Sequence, residues 1–131
     1  MTSPSAVARV LVAVPLLGMG TLHFVPSAAR SMSAMVPPSL RDRPLSAKQL
    51  VRFTGACEIA GAAGLLVPWT RRAAGAALVL FFAAVFPANA YAAKDPDRFG
   101  PVAIPFWPRL AGQVAIAALT AYAAFGGRVS R

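Results

Sequence analysis

The chain has 131 residues, of which 57% are hydrophobic and 13% charged, and its mean hydropathy is +0.61. Soluble domains carry about 25% charged residues, so there is too little charge here to coat a soluble surface of this size. The net charge of +9 is best explained by basic residues at helix ends facing anionic lipid headgroups. No nucleic-acid partner is expected, because no basic stretch is interleaved with stacking aromatic residues.

The first half of the chain predicts two membrane-spanning helices. A spanning helix needs about 20 mostly apolar residues, and the first candidate runs over about residues 5–25. A loop rich in Ser, Pro and Arg is expected over 26–45, because its prolines cannot continue a helix. The second candidate covers about 46–67 and begins at Ser46 with the sequence pattern of a capping box.

The second half predicts two more spanning helices, over about 72–93 and 108–126, separated by an irregular loop over 94–105. Pro87 lies inside the third helix and is a candidate kink. The four-residue link before that helix makes the second and third helices antiparallel neighbours. The sequence therefore predicts an all-α fold, one domain over residues 1–131 that forms an integral membrane bundle of four transmembrane helices.

Two features of the helices have further interpretations. The N-terminal segment could instead be a cleaved signal peptide, with its cleavage region around 27–29, although its charged start is thin. In the second helix, Ala56, Ala60 and Gly64 recur every four residues. We expect this smooth face to pack closely against a neighbouring helix, because lipid provides no hydrophobic drive between helices.

Polar side chains inside the apolar segments are expected to meet in the half of the bundle far from the termini. Ionisable groups at membrane depth are costly, so they usually face the bundle interior and have partners. The alternating direction of the four helices brings each of these groups to that same half. The candidate site residues are His23, Glu58, Asn89, Tyr91, Arg109 and Gln113.

This cluster has two interpretations that the residues alone leave open. One is a buried structural network in which Glu58 pairs with Arg109 and amides fill the other hydrogen bonds. The other is a binding pocket for the polar head of a lipophilic molecule such as a quinone, whose carbonyls need hydrogen-bond donors. A metal site is not expected, because one His and one Cys cannot supply four ligands.

Five short motifs in chain order resemble those of the DoxX family of small bacterial membrane proteins. They are G-T-L-H-F at 20–24, G-A-C-E-I-A-G with G-L-L-V-P at 55–68, R-R-A-A at 71–74, F-P-A-N-A-Y-A-A at 86–93, and W-P-R-L with Gln113 at 107–113. The resemblance implies a four-helix bundle in a bacterial inner (plasma) membrane. It also implies that the polar motif positions His23, Glu58, Asn89, Arg109 and Gln113 are functional.

Some members of that family are associated with membrane oxidoreductase systems. The resemblance therefore implies a membrane subunit linked to redox metabolism that binds a quinone-like lipid and takes electrons from an oxidoreductase partner. The alternative is a non-catalytic scaffold whose polar cluster is structural, and a proton or solute pathway ranks last. The sequence does not decide whether the protein is an enzyme or a homo-oligomer. The Arg71–Arg72 pair in the tightest turn favours cytoplasmic termini.

Overall fold

A computed structural model describes residues 3–40, 45–94 and 105–126, and within these ranges the chain is helical with no strand. The all-α prediction is confirmed, and the four long helices begin and end within a few residues of their predicted bounds. The predicted loop over 94–105 lies mostly outside the described residues. The elements are α1 (Pro4–Leu22), α2 (Pro26–Ala34), a 3-10 helix (Pro38–Leu40), α3 (Ala47–Leu66), α4 (Arg71–Ala93) and α5 (Phe106–Phe125).

The start of α3 follows the predicted capping box. The Ser46 side chain accepts a hydrogen bond from the Gln49 backbone N–H at 3.1 Å, and the Gln49 side chain accepts one from the Ser46 N–H at 2.9 Å. Both bonds satisfy backbone donors that the first helical turn would otherwise leave unpaired. The register of α3, and with it the position of Glu58, is therefore set from this end.

The segment after α1 is a correction, because the expected loop over 26–45 contains a nine-residue helix, α2. Pro26 stands in its first turn, where a missing N–H has no cost, and Ala28 and Ala29 favour helix. The same proline holds Val25 in an extended conformation, with φ −83° and ψ 123°. For this reason α1 ends at Leu22 and not at the predicted residue 25.

The four long helices form a ring in the order α1, α3, α4, α5, and each packs against its neighbours in antiparallel direction. The short α2 lies against α3. Gly64 meets Ala74 of α4 as the small-residue pattern predicts. Ala56 and Ala60 are exposed, so the expected continuous smooth face on α3 was wrong for these two positions.

The half of the bundle near the termini is a closed apolar core. Its members are apolar residues from all four long helices: Ala8, Val12, Ala13, Leu16, Ala62, Leu65, Leu78, Phe82, Ala123 and Ala124. In this half, Gly75 of α4 lies directly against Ala124 of α5, and Gly61 of α3 lies against Leu78 of α4. The helices are therefore drawn together here by residues with little or no side chain.

Of the described helices, α1 and α4 are long and apolar enough to cross a membrane by length and composition. A signal sequence or the core helix of a soluble protein can meet the same criterion, so this finding supports the predicted four-span bundle only in part. The helices α3 and α5 fall short of it. They carry Glu58, Arg109 and Gln113, which face the interior cavity described next.

Candidate functional site

The half of the bundle far from the termini contains a partly open cavity of about 540 Å³. All five α-helices contribute to its wall. Most of the lining is apolar, and the polar side chains that reach it come from two places, the α1–α3 contact and the α4–α5 contact. The polar lining residues are His23, Thr54, Glu58, Asn89, Arg109 and Gln113.

A glycine crossing positions the α1–α3 side of the cavity. A Cβ atom built on Gly55 would lie 2.5 Å from the His23 Cβ and 2.9 Å from the Gly20 carbonyl oxygen. A Cβ atom on Gly20 would lie 3.0 Å from the Gly55 carbonyl oxygen. Since no side chain fits at this crossing, α1 and α3 approach closely enough for His23, which follows the end of α1, to reach Glu58 at the middle of α3.

His23 and Glu58 form a buried pair on this side, 9% and 7% exposed respectively. The His23 Nε2 atom lies 3.3 Å from Glu58 Oε2, and His23 Nδ1 lies 2.8 Å from the Met19 carbonyl oxygen. A carbonyl oxygen only accepts hydrogen bonds, so Nδ1 carries a hydrogen and donates it to Met19. The ring is thereby held with Nε2 directed at the carboxyl group.

The other carboxyl oxygen of Glu58, Oε1, is buried and has no hydrogen-bond partner among the described residues. Leaving such an atom without a partner is costly, and native structures do so rarely. Glu58 lines the cavity, so a molecule in the cavity could supply the missing hydrogen bond. This atom is the strongest indication that the cavity has an occupant.

A hydrogen-bonded relay forms the opposite side. Arg109 Nη1 donates to Asn89 Oδ1 at 2.9 Å, and Asn89 Nδ2 donates to Gln113 Oε1 at 3.4 Å. Gln113 Nε2 in turn donates to the Phe82 carbonyl oxygen. The carbonyl of the next residue, Ala83, has no helical hydrogen-bond donor, because the residue four positions later is Pro87, which lacks a backbone N–H. The relay ties α4 to α5 where α4 passes through the proline.

The structure divides five of the six predicted site residues between two clusters at the cavity. The sixth, Tyr91, does not line the cavity. His23 and Glu58 come together, as do Asn89, Arg109 and Gln113. The predicted ion pair between Glu58 and Arg109 is wrong, because Oε2 pairs with His23 and Oε1 has no hydrogen-bond partner. Tyr91 packs beside Met35 and Ala92.

Many lining residues were not predicted, and five of them lie on α2 or in the short segment that follows it. Met32 and Met35 reach the cavity from this segment, which the sequence analysis treated as a loop. The helical spacing of Ala28, Met32 and Met35 is a signal that indicates an inward face. Thr54 was not among the predicted site residues. It lines the cavity one turn away from Glu58.

One family model matches the chain over residues 7–125, and its description is "Domain of unknown function (DUF8561)". This match corrects the inferred DoxX membership, because the family that matches is a different one. The DoxX-like motifs are short apolar stretches with single polar positions, a composition that unrelated membrane helices also produce. No curated protein and no solved structure matches the chain.

Proposed function

Because the chain belongs to the DUF8561 family, whose description names no activity, we infer its function from its own site. We propose that it is a four-span membrane protein that binds a quinone-like lipid, a lipophilic molecule with a polar ring in its oxidised or its reduced form. The redox link rested on the DoxX resemblance and loses that support. The proposal therefore names a ligand class and no electron donor. Its main support is the cavity with the unpartnered Glu58 Oε1 atom.

The proposed position in a bilayer is supported by the distribution of polar and apolar residues. Large apolar side chains cover the outside of the bundle, for example Leu80 at 70%, Val14 at 61% and Phe53 at 59% exposed. Only 17% of the most apolar stretch of α4 is buried, whereas the core helix of a soluble protein would be mostly buried. A protein that is apolar outside and polar inside suits lipid as its solvent.

The two ends of the bundle support the same position. Trp69 is 90% exposed in the link between α3 and α4, and Trp107 is 73% exposed at the start of α5, at the opposite end. Tryptophan concentrates at membrane–water interfaces. The 23 residues of α4 extend over about 34 Å at 1.5 Å per residue, enough to cross a hydrocarbon core of about 30 Å.

The cavity has the size and composition of a small-molecule site. Its volume of about 540 Å³ lies within the range of roughly 300–1,000 Å³ that ligand pockets occupy. Met19, Met32 and Met35 contribute flexible apolar surface, which accommodates a ring and the start of an alkyl tail. A few polar groups in a mostly apolar pocket are the usual means of fixing a ligand's orientation.

The competing proposal is a membrane scaffold in which the polar groups only hold the helices together. The α4–α5 relay favours it, because Asn89 and Gln113 each find a partner within the protein. The α1–α3 side disfavours it, because a purely structural cluster has no reason to bury an unpartnered carboxyl oxygen. We therefore rank the ligand-binding proposal first.

The test is a titration of the purified protein in detergent with 2-methyl-1,4-naphthoquinone and, under argon, with its reduced form. Wild type is compared with Ala88→Phe, which fills the cavity from α4, and with Ala63→Phe, which adds the same ring to the exposed face of α3. We expect wild type and Ala63→Phe to bind at least one form, and Ala88→Phe to bind neither. Equal binding by all three proteins would contradict the proposal.

A further inference from the structure

The two polar sides of the cavity differ in the hydrogen bonds that they offer, and this difference specifies the ligand. We infer that the cavity binds a ring with a hydroxyl at one end and an oxygen acceptor at the opposite end, and not a ring with two carbonyls. The inference rests on the proposed function, because it assumes that a ligand occupies the cavity. It is carried by the hydrogen bonds of Glu58, Thr54, Asn89 and Gln113.

The α3 side offers acceptors. His23 Nδ1 already holds a hydrogen toward Met19, so the contact between Nε2 and Glu58 Oε2 is attractive only if one proton lies between these two atoms. That proton is on the ring or on Oε2, and in both cases Oε1 has no hydrogen and is an acceptor. Oε1 is the atom that has no partner.

Thr54 adds a second acceptor on the same helix face, one turn before Glu58. Its hydroxyl hydrogen goes to the Val51 carbonyl oxygen at 2.9 Å. The Oγ1 atom has no other hydrogen, so toward the cavity it can only accept. A ligand that approaches α3 must therefore present a donor.

The α4–α5 side offers donors. The Asn89 Oδ1 atom accepts from Arg109, and the Gln113 Oε1 atom accepts from Asn89. Each amide nitrogen carries two hydrogens, of which Asn89 gives one to Gln113 and Gln113 gives one to Phe82. The second hydrogen of each amide, in the field of the Arg109 charge, suits an acceptor oxygen on the ligand.

A ring with two carbonyls suits the α4–α5 side. The α3 side repels it, because its second carbonyl oxygen would face the lone pairs of Glu58 Oε1. A hydroxyl at that end donates to Oε1 and satisfies it. Reduced quinones and related phenols have this arrangement of a donor and an acceptor across one ring. They are the ligand class to which the geometry points.

The experiment measures the affinities of three naphthalene rings for the full-length protein in one detergent: 4-methoxy-1-naphthol, 1,4-dimethoxynaphthalene and 1,4-naphthoquinone. Only the first has a donor at one end and an acceptor at the other. We expect wild type to bind it about tenfold more tightly than either of the others, which corresponds to one hydrogen bond to a charged or polar acceptor. The quinone is the smallest of the three molecules, so steric exclusion of the methoxy groups would favour it over the naphthol.

Two Glu58 variants test whether this residue causes the preference for the naphthol. Each ligand's affinity for a variant is compared with its affinity for wild type in the same detergent, so uptake of ligand by micelles cancels. Glu58→Met removes the acceptor and should abolish the preference. Glu58→Gln should retain much of it, because the amide nitrogen can donate to His23 Nε2 and leave an oxygen toward the cavity.

Equal affinities in wild type, tighter binding of the quinone, or a preference unchanged in Glu58→Met would each overturn the inference. The wild-type comparison stands alone if a variant does not fold. If Ala88→Phe weakens all three rings without any preference among them, the cavity is a ligand site and only this inference fails. If Ala88→Phe affects none of them, the proposed function fails as well.

Discussion

The two halves of the bundle are built from the same four long helices and differ in how completely they are packed. In the half near the termini, Val12, Leu65 and Thr120 are fully buried, and the Thr120 hydroxyl donates to the Ile116 carbonyl oxygen at 2.7 Å. In the other half, a cavity of about 540 Å³ is lined in part by Glu58, whose buried Oε1 atom has no hydrogen-bond partner. The chain closes the centre of the bundle in the half near the termini, where a groove of about 510 Å³ lies only along the outer side of α3 and α4.

The difference follows from residue size and from the inserted helix. Gly61 and Gly75 bring α3, α4 and α5 into close contact near the termini. In the other half, Phe86 of α4 stacks edge-on against Phe106 of α5 with ring centroids 5.9 Å apart, and α2 lies against α3. In this half α1 and α3 still meet at the Gly20–Gly55 crossing, so the cavity lies between that pair of helices and the α4–α5 pair.

The largest expected effect is a difference in stability between the halves. Leu65→Ala in the closed half should lower the free energy of unfolding in detergent by about 2–3 kcal/mol, because it leaves a void that the neighbours cannot fill. Met32→Ala at the cavity should lower it by less than about 1 kcal/mol, because the space beside it is already empty. Denaturant unfolding measures both, and equal losses would contradict the difference in packing.

A second prediction concerns the glycine crossing that positions His23. Gly55→Ala places a Cβ 2.5 Å from the His23 Cβ, so α1 and α3 must move apart at a cost of about 1–3 kcal/mol. His23 then moves away from Glu58, and ligand affinity should fall with stability. Gly112→Ala is the control, because its Cβ would meet nothing within 4 Å. It should be neutral or stabilising by up to about 1 kcal/mol, and equal losses in both variants would argue against a special crossing.

A third prediction concerns the relay on α4 and α5. Asn89→Asp loses the hydrogen bond to Gln113 and gains a charge pair with Arg109 that offsets this loss, so thermal stability should change little while ligand binding weakens about tenfold. Asn89→Leu removes the hydrogen bonds to Arg109 and to Gln113 and should lower stability by about 1 kcal/mol as well. Thermal unfolding combined with a titration separates these outcomes. An Asn89→Asp protein with wild-type affinity would show that the donors on this side do not reach the ligand.

The smallest expected effect concerns membrane topology. If the termini are cytoplasmic, a reporter fused after α5 should be active only in the cytoplasm. Replacing Arg71 and Arg72 with Gln should shift part of the population toward the opposite orientation, because basic residues in short loops set orientation. A reporter active only outside the cytoplasm would reverse the predicted orientation.

The long helices were predictable because their signals are local. Apolar runs of about 20 residues, the Ser46 capping box and the proline after Val67 fix their bounds to within a few residues. The helix α2 was missed because Pro37, Pro38 and Pro44 indicated a loop over the whole of 26–45, although nine residues before these prolines are enough for a helix that starts at Pro26. Local composition therefore gave the helices and misjudged the short one that borders the cavity.

Which residues reach the site was largely predictable, but which of them contact each other was not. Helix direction alone brings Glu58, Asn89 and Arg109 to one half of the bundle. Which of them touch depends on the Gly20–Gly55 crossing and on the ring order of the helices, and neither is visible in the spacing of polar residues. Glu58 pairs with His23 because that crossing brings the end of α1 closer to it than α5 is.

The central claim is that the half far from the termini is a ligand site, and photoaffinity labelling tests it most directly. The probe is a 4-alkoxy-1-naphthol with a diazirine in its alkyl tail, and labelled peptides are identified by mass spectrometry. The account predicts labelling at the cavity lining around Met19, Met32 and Met35, lost in Ala88→Phe and retained in Ala63→Phe. Labels spread evenly over exposed outer positions such as Val10 and Leu80, and unchanged in Ala88→Phe, would contradict it.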